Sequence, residues 1–83
     1  MASVEEFEAA VKRVNGLPNT PSNDVLLKLY GLYKQATAGD VSGKRPGMLD
    51  PKGRAKYDAW ASRKGTSADD ARKAYIALAD SLS

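Results

Sequence analysis

The side chains best suited to chemistry lie in one short run, Tyr30-Gly31-Leu32-Tyr33-Lys34. Helical spacing sets Tyr30 one turn below both Tyr33 and Lys34, so two phenol rings and an ammonium group share a patch. Further along, a second segment offers Lys52, Arg54 and Lys56, and a third offers Tyr75. If packing unites these faces, they form a phosphate-binding cluster flanked by rings able to stack on a purine, which suits a nucleotide head group. Spacing alone leaves the other reading open. Tyrosines at helical intervals serve a core as readily as a ligand, and exposed lysines are commonly just solvated surface. Phe7 and Trp60 read as core. Asp50, Asp69 and Asp70 fall at expected helix starts, where capping accounts for them and leaves no carboxylate pair for acid/base work.

Two absences narrow the chemistry further. The sequence contains neither cysteine nor histidine. Disulfides, thiolate nucleophiles and zinc–thiolate sites are therefore excluded, and a transition-metal site is not expected. Acid/base catalysis near neutral pH would fall to carboxylates, Lys or Tyr with strongly displaced pKa values. No catalytic residue and no metal ligand is assigned.

Four helical stretches separated by Pro/Gly punctuation are expected to position these residues. Ser3 caps the first, with Glu6 completing a capping box, and Val4, Phe7, Val11 and Val14 form its apolar stripe up to Asn15-Gly16. Thr20-Pro21 is read as the cap and first residue of the second helix, whose face carries Leu26, Leu29, Tyr30 and Tyr33 until Gly39-Asp40 stops it. Residues 38–49, with Gly39, Gly43, Pro46 and Gly47, make a connection long enough to be functional or folded onto the surface. Asp50-Pro51 repeats the cap-then-proline signature for a third helix running to about Arg63 and stopped by Gly65. Ser67 opens the fourth, along which Ala71, Tyr75, Leu78 and Leu82 keep one face. The reading is an all-α four-helix bundle with a long loop between helices 2 and 3.

Composition agrees. Thirteen of the 83 residues are alanine, the strongest helix former, while five Val, one Ile and three Thr make a poor sheet. A chain of this length is expected to be one domain spanning residues 1–83. The acidic start, with Glu5, Glu6 and Glu8, does not resemble a secretory signal, and no run approaches a membrane span, so a soluble, cytoplasmic protein is expected. The net charge of +3 is unevenly spread, since residues 44–64 hold seven Lys/Arg against Asp50 and Asp58. That block points to an anionic partner.

The ordered runs Leu29 to Asp40 (LYGLYKQATAGD), Arg45 to Asp50 (RPGMLD), Lys52 to Trp60 (KGRAKYDAW) and Lys64 to Ser67 (KGTS), with Ala74-Tyr75-Ile76, resemble the acyl-CoA-binding protein family. The resemblance covers essentially the whole chain and is densest from residue 26 to residue 76. It implies a four-helix fold whose shallow bowl takes one medium- to long-chain acyl-CoA, without catalysis and without a cofactor. In that family, positions matching Tyr30, Lys34 and Lys56 bind the 3′-phosphate of the CoA ribose. The position matching Tyr33 packs on the adenine, Tyr75 matches a further nucleotide contact, and Lys52 matches a lysine near the head group. Positions matching Phe7, Leu27 and Val11 contribute to the acyl groove.

Two departures stand out against that pattern. Asn15 and Thr20 replace lysines that help hold the head group in many members, so fewer head-group contacts are expected. Tyr57 stands where many members have a second tryptophan, a swap expected to matter little because tyrosine also packs as an amphipathic ring. The resemblance further implies a monomer that buffers acyl-CoA, hands it to acyl-CoA-using enzymes and makes at most transient membrane contact. Two other classes compete with this reading. A basic module binding nucleic acid through residues 44–64 is disfavoured by the interruptions at Pro46, Gly47 and Asp50 and by the lack of a helix-turn-helix or zinc pattern. A thioesterase is disfavoured because no Ser/His/Asp or Cys/His set exists.

Overall fold

The computed structural model describes residues 3–82. Four helices account for most of them: α1 (Val4–Asn15), α2 (Asn23–Thr37), α3 (Pro51–Ala61) and α4 (Ala68–Leu82), with no strand among the described residues. No helix among them is long and apolar enough to cross a membrane.

Capping chemistry sets the starts. The Ser3 hydroxyl accepts from the Glu6 amide at 3.1 Å while the Glu6 carboxylate accepts from the Ser3 amide at 3.3 Å, closing the expected box. Asp50 caps α3 by accepting from the Gly53 amide at 3.0 Å, and Ser67 caps α4 by accepting from the Asp70 amide at 3.1 Å. The start of α2 differs from expectation. Its cap is Ser22, which accepts from the Val25 amide at 3.3 Å, so Thr20-Pro21 lies outside the helix. Starting at Thr20 would only add Pro21 and Ser22 to the helix, neither with a large apolar group to bury, whereas capping at Ser22 places Val25 and Leu26 within the first turn. Helix α3 also ends earlier than expected. Beyond Ala61 the Arg63, Lys64 and Thr66 amides bond three residues back, to Trp60, Ala61 and Arg63, tightening the chain towards Gly65 at φ +90°.

The core joins α1, α2 and α4. Phe7, Ala10, Leu29, Leu32, Tyr75 and Ala79 are its buried members, with Val11, Val14, Val25, Ile76, Leu78 and Leu82 packed around them. Helix α2 packs on α3 and α4, and α1 packs on α4. Helix α3 buries no residue of its own and touches no other helix but α2. The Cα envelope measures 34 × 29 × 14 Å. Its short dimension fits two helix layers, about 8–10 Å between axes plus the width of one backbone cylinder, and leaves no third layer to cover the open face.

Helix α3 approaches closely because residue 31 is glycine. A Cβ there would lie 2.4 Å from the Ala59 carbonyl oxygen. The loop after α2 is bound to this same helix, as a surface-folded loop requires. The Trp60 indole N–H donates to the Gly39 carbonyl at 2.7 Å, the Tyr57 hydroxyl donates to the Gly43 carbonyl at 3.1 Å, and Arg45 grips Asp58 through two bonds of 2.8 and 2.7 Å. A second clasp involves the buried Gln35, whose amide donates to Asp40 at 2.8 Å and to the Thr66 carbonyl at 2.7 Å. Asp40 also accepts from the Gly65 amide at 2.9 Å.

Candidate functional site

Tyr30 and Lys34 project from α2 one turn apart, and Lys56 and Trp60 project from α3 with the same spacing. Across the seam these residues pair crosswise. The Lys56 ammonium lies 5.6 Å from the Tyr30 ring centroid, and the Lys34 ammonium lies 4.8 Å from that of Trp60. Each cation is thereby held over an aromatic ring of the facing helix, and neither has a carboxylate partner among the described residues. Trp60 was expected in the core, but it is only half-buried. Its N–H is committed to the loop and its ring is left to the lysine.

A hollow of about 320 Å³ opens beside this seam, lined by Val11, Val14, Asn15, Leu26, Leu29, Tyr30, Tyr33 and Tyr75. The three tyrosines play unequal parts in it. Tyr33 is 40% exposed, Tyr30 is half-buried, and Tyr75 is only 4% exposed. Tyr75 meets the Phe7 ring edge-on at 5.1 Å, and Phe7 in turn stacks against Tyr33 at 5.9 Å with an interplanar angle of 26°. A ring offered to solvent thus rests on a buried pair, which fixes its orientation. Burial, together with the neighbouring Tyr33, pushes the Tyr75 hydroxyl up from its ordinary value, so at neutral pH it stays a neutral hydrogen-bonding group.

On the α3 side a second hollow, of about 340 Å³, is lined by Asn23, Leu26, Leu27, Pro51, Lys52, Ala55 and Lys56. It shares Leu26 with the tyrosine hollow. Leucine, proline and alanine side chains dominate, and two residues exposed overall, Lys52 and Lys56, complete the lining. On the α1 side a third, of about 350 Å³, is lined by Val4, Phe7, Glu8, Val11, Lys12, Tyr33, Ala36, Thr37 and Arg72. It shares Val11 and Tyr33 with the tyrosine hollow, so the three form one continuous trough across the open face.

Of the residues singled out in the sequence, Tyr30, Tyr33, Lys34 and Lys56 are brought together at the seam and the central hollow. Lys52 and Leu27 lie in the α3-side hollow, and Phe7 and Val11 in the α1-side hollow. Leu27 and Phe7 thus line different hollows of the trough, one on either side of the central one. Sequence reasoning overlooked Trp60 as the seat of Lys34, Gly31 as the reason α3 lies close, and Ala55 and Pro51 as groove walls. The spacing of Trp60 from Lys56 was an available signal, since four residues put both on one helical face. Asn15 lines the tyrosine hollow, whereas Thr20 lines none of the three.

Comparison with known proteins adds to this geometry. A family model described as "Acyl CoA binding protein" matches residues 4–79. Acyl-CoA-binding protein homolog 1 of Caenorhabditis elegans is 53% identical over 76 residues, covering 92% of this chain and 88% of that protein. The acyl-CoA-binding protein of Saccharomyces cerevisiae is 54% identical over 76 residues, covering 92% and 87%. The crystal structure of Oryza sativa acyl-CoA-binding protein 2 superposes with a TM-score of 0.90 at 46% identity, covering 94% of this chain and 85% of that one.

Proposed function

The chain belongs to the acyl-CoA-binding protein family, and from that membership we infer that it is a non-catalytic carrier of acyl-CoA thioesters, built as a single binding domain over residues 1–83. The observation that supports the reading most is the crosswise pairing of Tyr30 with Lys56 and of Lys34 with Trp60. Two ammonium groups beside a phenol hydroxyl match the 3′-phosphate of the CoA ribose, and charge-assisted hydrogen bonds are the contacts that tell such a phosphate from water. Tyr33, exposed and propped by Phe7, offers its face to the adenine, while Tyr75 closes the floor of the hollow from beneath.

The acyl tail runs along the α3-side hollow, against Leu26, Leu27 and Ala55 and the stems of Lys52 and Lys56. Phe7 acts through Tyr33 rather than against the tail. Each buried methylene contributes about 0.8 kcal/mol, so burial of even half of a hexadecanoyl chain outweighs any one charge-assisted phosphate contact, worth about 1.5–3 kcal/mol. Tail burial therefore dominates affinity, and the phosphate seam dominates discrimination against a free fatty acid. The ligand is of medium to long chain and binds one-to-one, and the protein is a cytoplasmic monomer that delivers acyl-CoA to the enzymes that use it.

Isothermal calorimetry with palmitoyl-CoA, free CoA and palmitate tests the carrier reading. One-to-one binding of palmitoyl-CoA, much weaker binding of CoA and very weak binding of palmitate are expected. Equal affinity for palmitate and palmitoyl-CoA overturns it.

A further inference from the structure

The loop that leads into α3 ends in a tight turn, with the Asp50 amide donating to the Gly47 carbonyl at 3.0 Å. The two central residues of that turn are Met48 and Leu49, which are 84% and 102% exposed, the most exposed large apolar side chains among the described residues. A methionine and a leucine left fully in water on so small a molecule call for an explanation, because single exposed apolar groups are ordinary but two adjacent ones at the apex of a turn make a protrusion. The turn is also held in place. Asp50 caps α3 through the Gly53 amide, Pro51 follows as the first helical residue, and Arg45 is tied to Asp58 upstream.

Charge frames the tip. Between residues 44 and 56 the chain carries Lys44, Arg45, Lys52, Arg54 and Lys56 against Asp50 as the only carboxylate. Lys44 and Lys52 are exposed and have no ion-pair partner among the described residues. Two side chains are too little area for a stable protein–protein interface, which needs about 800 Å² on each partner. They do match what an interfacial membrane contact requires, namely a small apolar wedge combined with a flanking basic cluster drawn to anionic head groups.

We propose that the Met48–Leu49 turn is a membrane-docking tip that inserts into the surface of an anionic phospholipid bilayer, with Lys44 and Lys52 meeting the head groups on either side. The contact is interfacial and reversible, since neither the wedge nor the charge suffices alone. Docking stands independently of the carrier reading, but it has a consequence for it. Pro51 and Lys52, which line the α3-side hollow, follow the tip directly in sequence, so docking sets one end of the trough against the lipid surface.

Co-sedimentation with vesicles of mixed phosphatidylserine and phosphatidylcholine, against vesicles of phosphatidylcholine alone, tests the proposal. The protein is expected to sediment with the anionic vesicles at low ionic strength and to be released by high salt. The Met48→Ser/Leu49→Ser double variant should bind them about tenfold more weakly than the native sequence while keeping its thermal midpoint and its palmitoyl-CoA affinity. As a second readout, Leu49→Cys supplies the chain's sole thiol for an environment-sensitive fluorophore, whose emission should shift to the blue on the anionic vesicles. Equal vesicle binding by the double variant and the native protein overturns the proposal. So does an unshifted fluorophore, and so does failure of the native protein to sediment with anionic vesicles at low salt.

Discussion

Lys34 and Lys56 sit on the faces of Trp60 and Tyr30, contacts worth about 0.5–1 kcal/mol each at exposed sites. A hydrogen bond to a charged group contributes about 1.5–3 kcal/mol, so an arriving phosphate is the stronger partner for both ammonium groups. Lys34→Ala and Lys56→Ala are accordingly expected to weaken palmitoyl-CoA by about tenfold each and to leave its 3′-dephospho analogue nearly unchanged. Titration calorimetry with both ligands checks this, and equal losses for the two would mean the phosphate contact is misplaced. Asn15, on the wall of the tyrosine hollow, gives the converse test. Asn15→Lys should tighten palmitoyl-CoA by about two- to fivefold at low ionic strength, the range of an exposed charge pair, with the gain lost in high salt. No gain at low salt would show that the head group lies beyond reach of residue 15. At this scale the sequence was legible wherever one helix decides the geometry, as with Tyr30 and Lys34. It was not legible for the Lys34–Trp60 pair or the burial of Tyr75, because each depends on a ring from another helix.

Helix α3 lies where it does because Gly31 has no side chain, and its approach sets the spacing of the ammonium pair. Gly31→Ala would improve helix propensity by about 1 kcal/mol, yet its Cβ would meet a backbone carbonyl at 2.4 Å, which no rotamer change can relieve. Overpacking of this kind costs about 1–3 kcal/mol. The variant should lose several degrees of thermal midpoint, about 4–8 °C per kcal/mol for a domain this size, and should also bind palmitoyl-CoA more weakly although residue 31 touches no ligand. A raised midpoint would disprove the close contact. Acid sensitivity belongs to the same scale. The Gly65 amide and the Gln35 side chain hold the Asp40 carboxyl below the ordinary carboxylate range, and Arg45 does the same for Asp58. Each group is more acidic folded than unfolded, so its contribution is fully present above the unfolded value of about 3.9 and is lost as pH falls through the lower folded value. Asp40→Asn should therefore lower the thermal midpoint at neutral pH and flatten its decline in acid. An unaltered decline would show that Asp40 contributes nothing. The caps at Ser3, Asp50 and Ser67 were legible because each signal lies within four residues. The start of α2 was not, because Thr20 and Ser22 both offer a hydroxyl, and the choice rests on which start leads straight into Val25 and Leu26.

Seen whole, the molecule is a two-layer slab in which α1 rests on α4 and α3 rests on α2. The single core lies among α1, α2 and α4, while α3 contributes one wall of the trough without burying a residue. Local stability should follow that division. Helix α3 and the loop of residues 38–49 depend on Trp60, Tyr57 and Arg45 contacts that are partly open to water, and such regions open at lower free energy than a core. A ligand bridging α2 and α3 adds contacts to the helix that buries no residue of its own. Any ligand bound to the native state alone stabilises it by about 2.7 kcal/mol at a hundred times its dissociation constant, and that gain appears first where opening is cheapest. Hydrogen exchange on the free protein should therefore show α3 and the loop exchanging faster than the core faces of α2 and α4. Saturation with palmitoyl-CoA should slow α3 and the loop most. If protection rose instead chiefly in α1 and α4, the tail would lie in the α1-side hollow with Phe7 and Val11, and the assignment of the α3-side hollow to the acyl chain would fall while the phosphate seam stood.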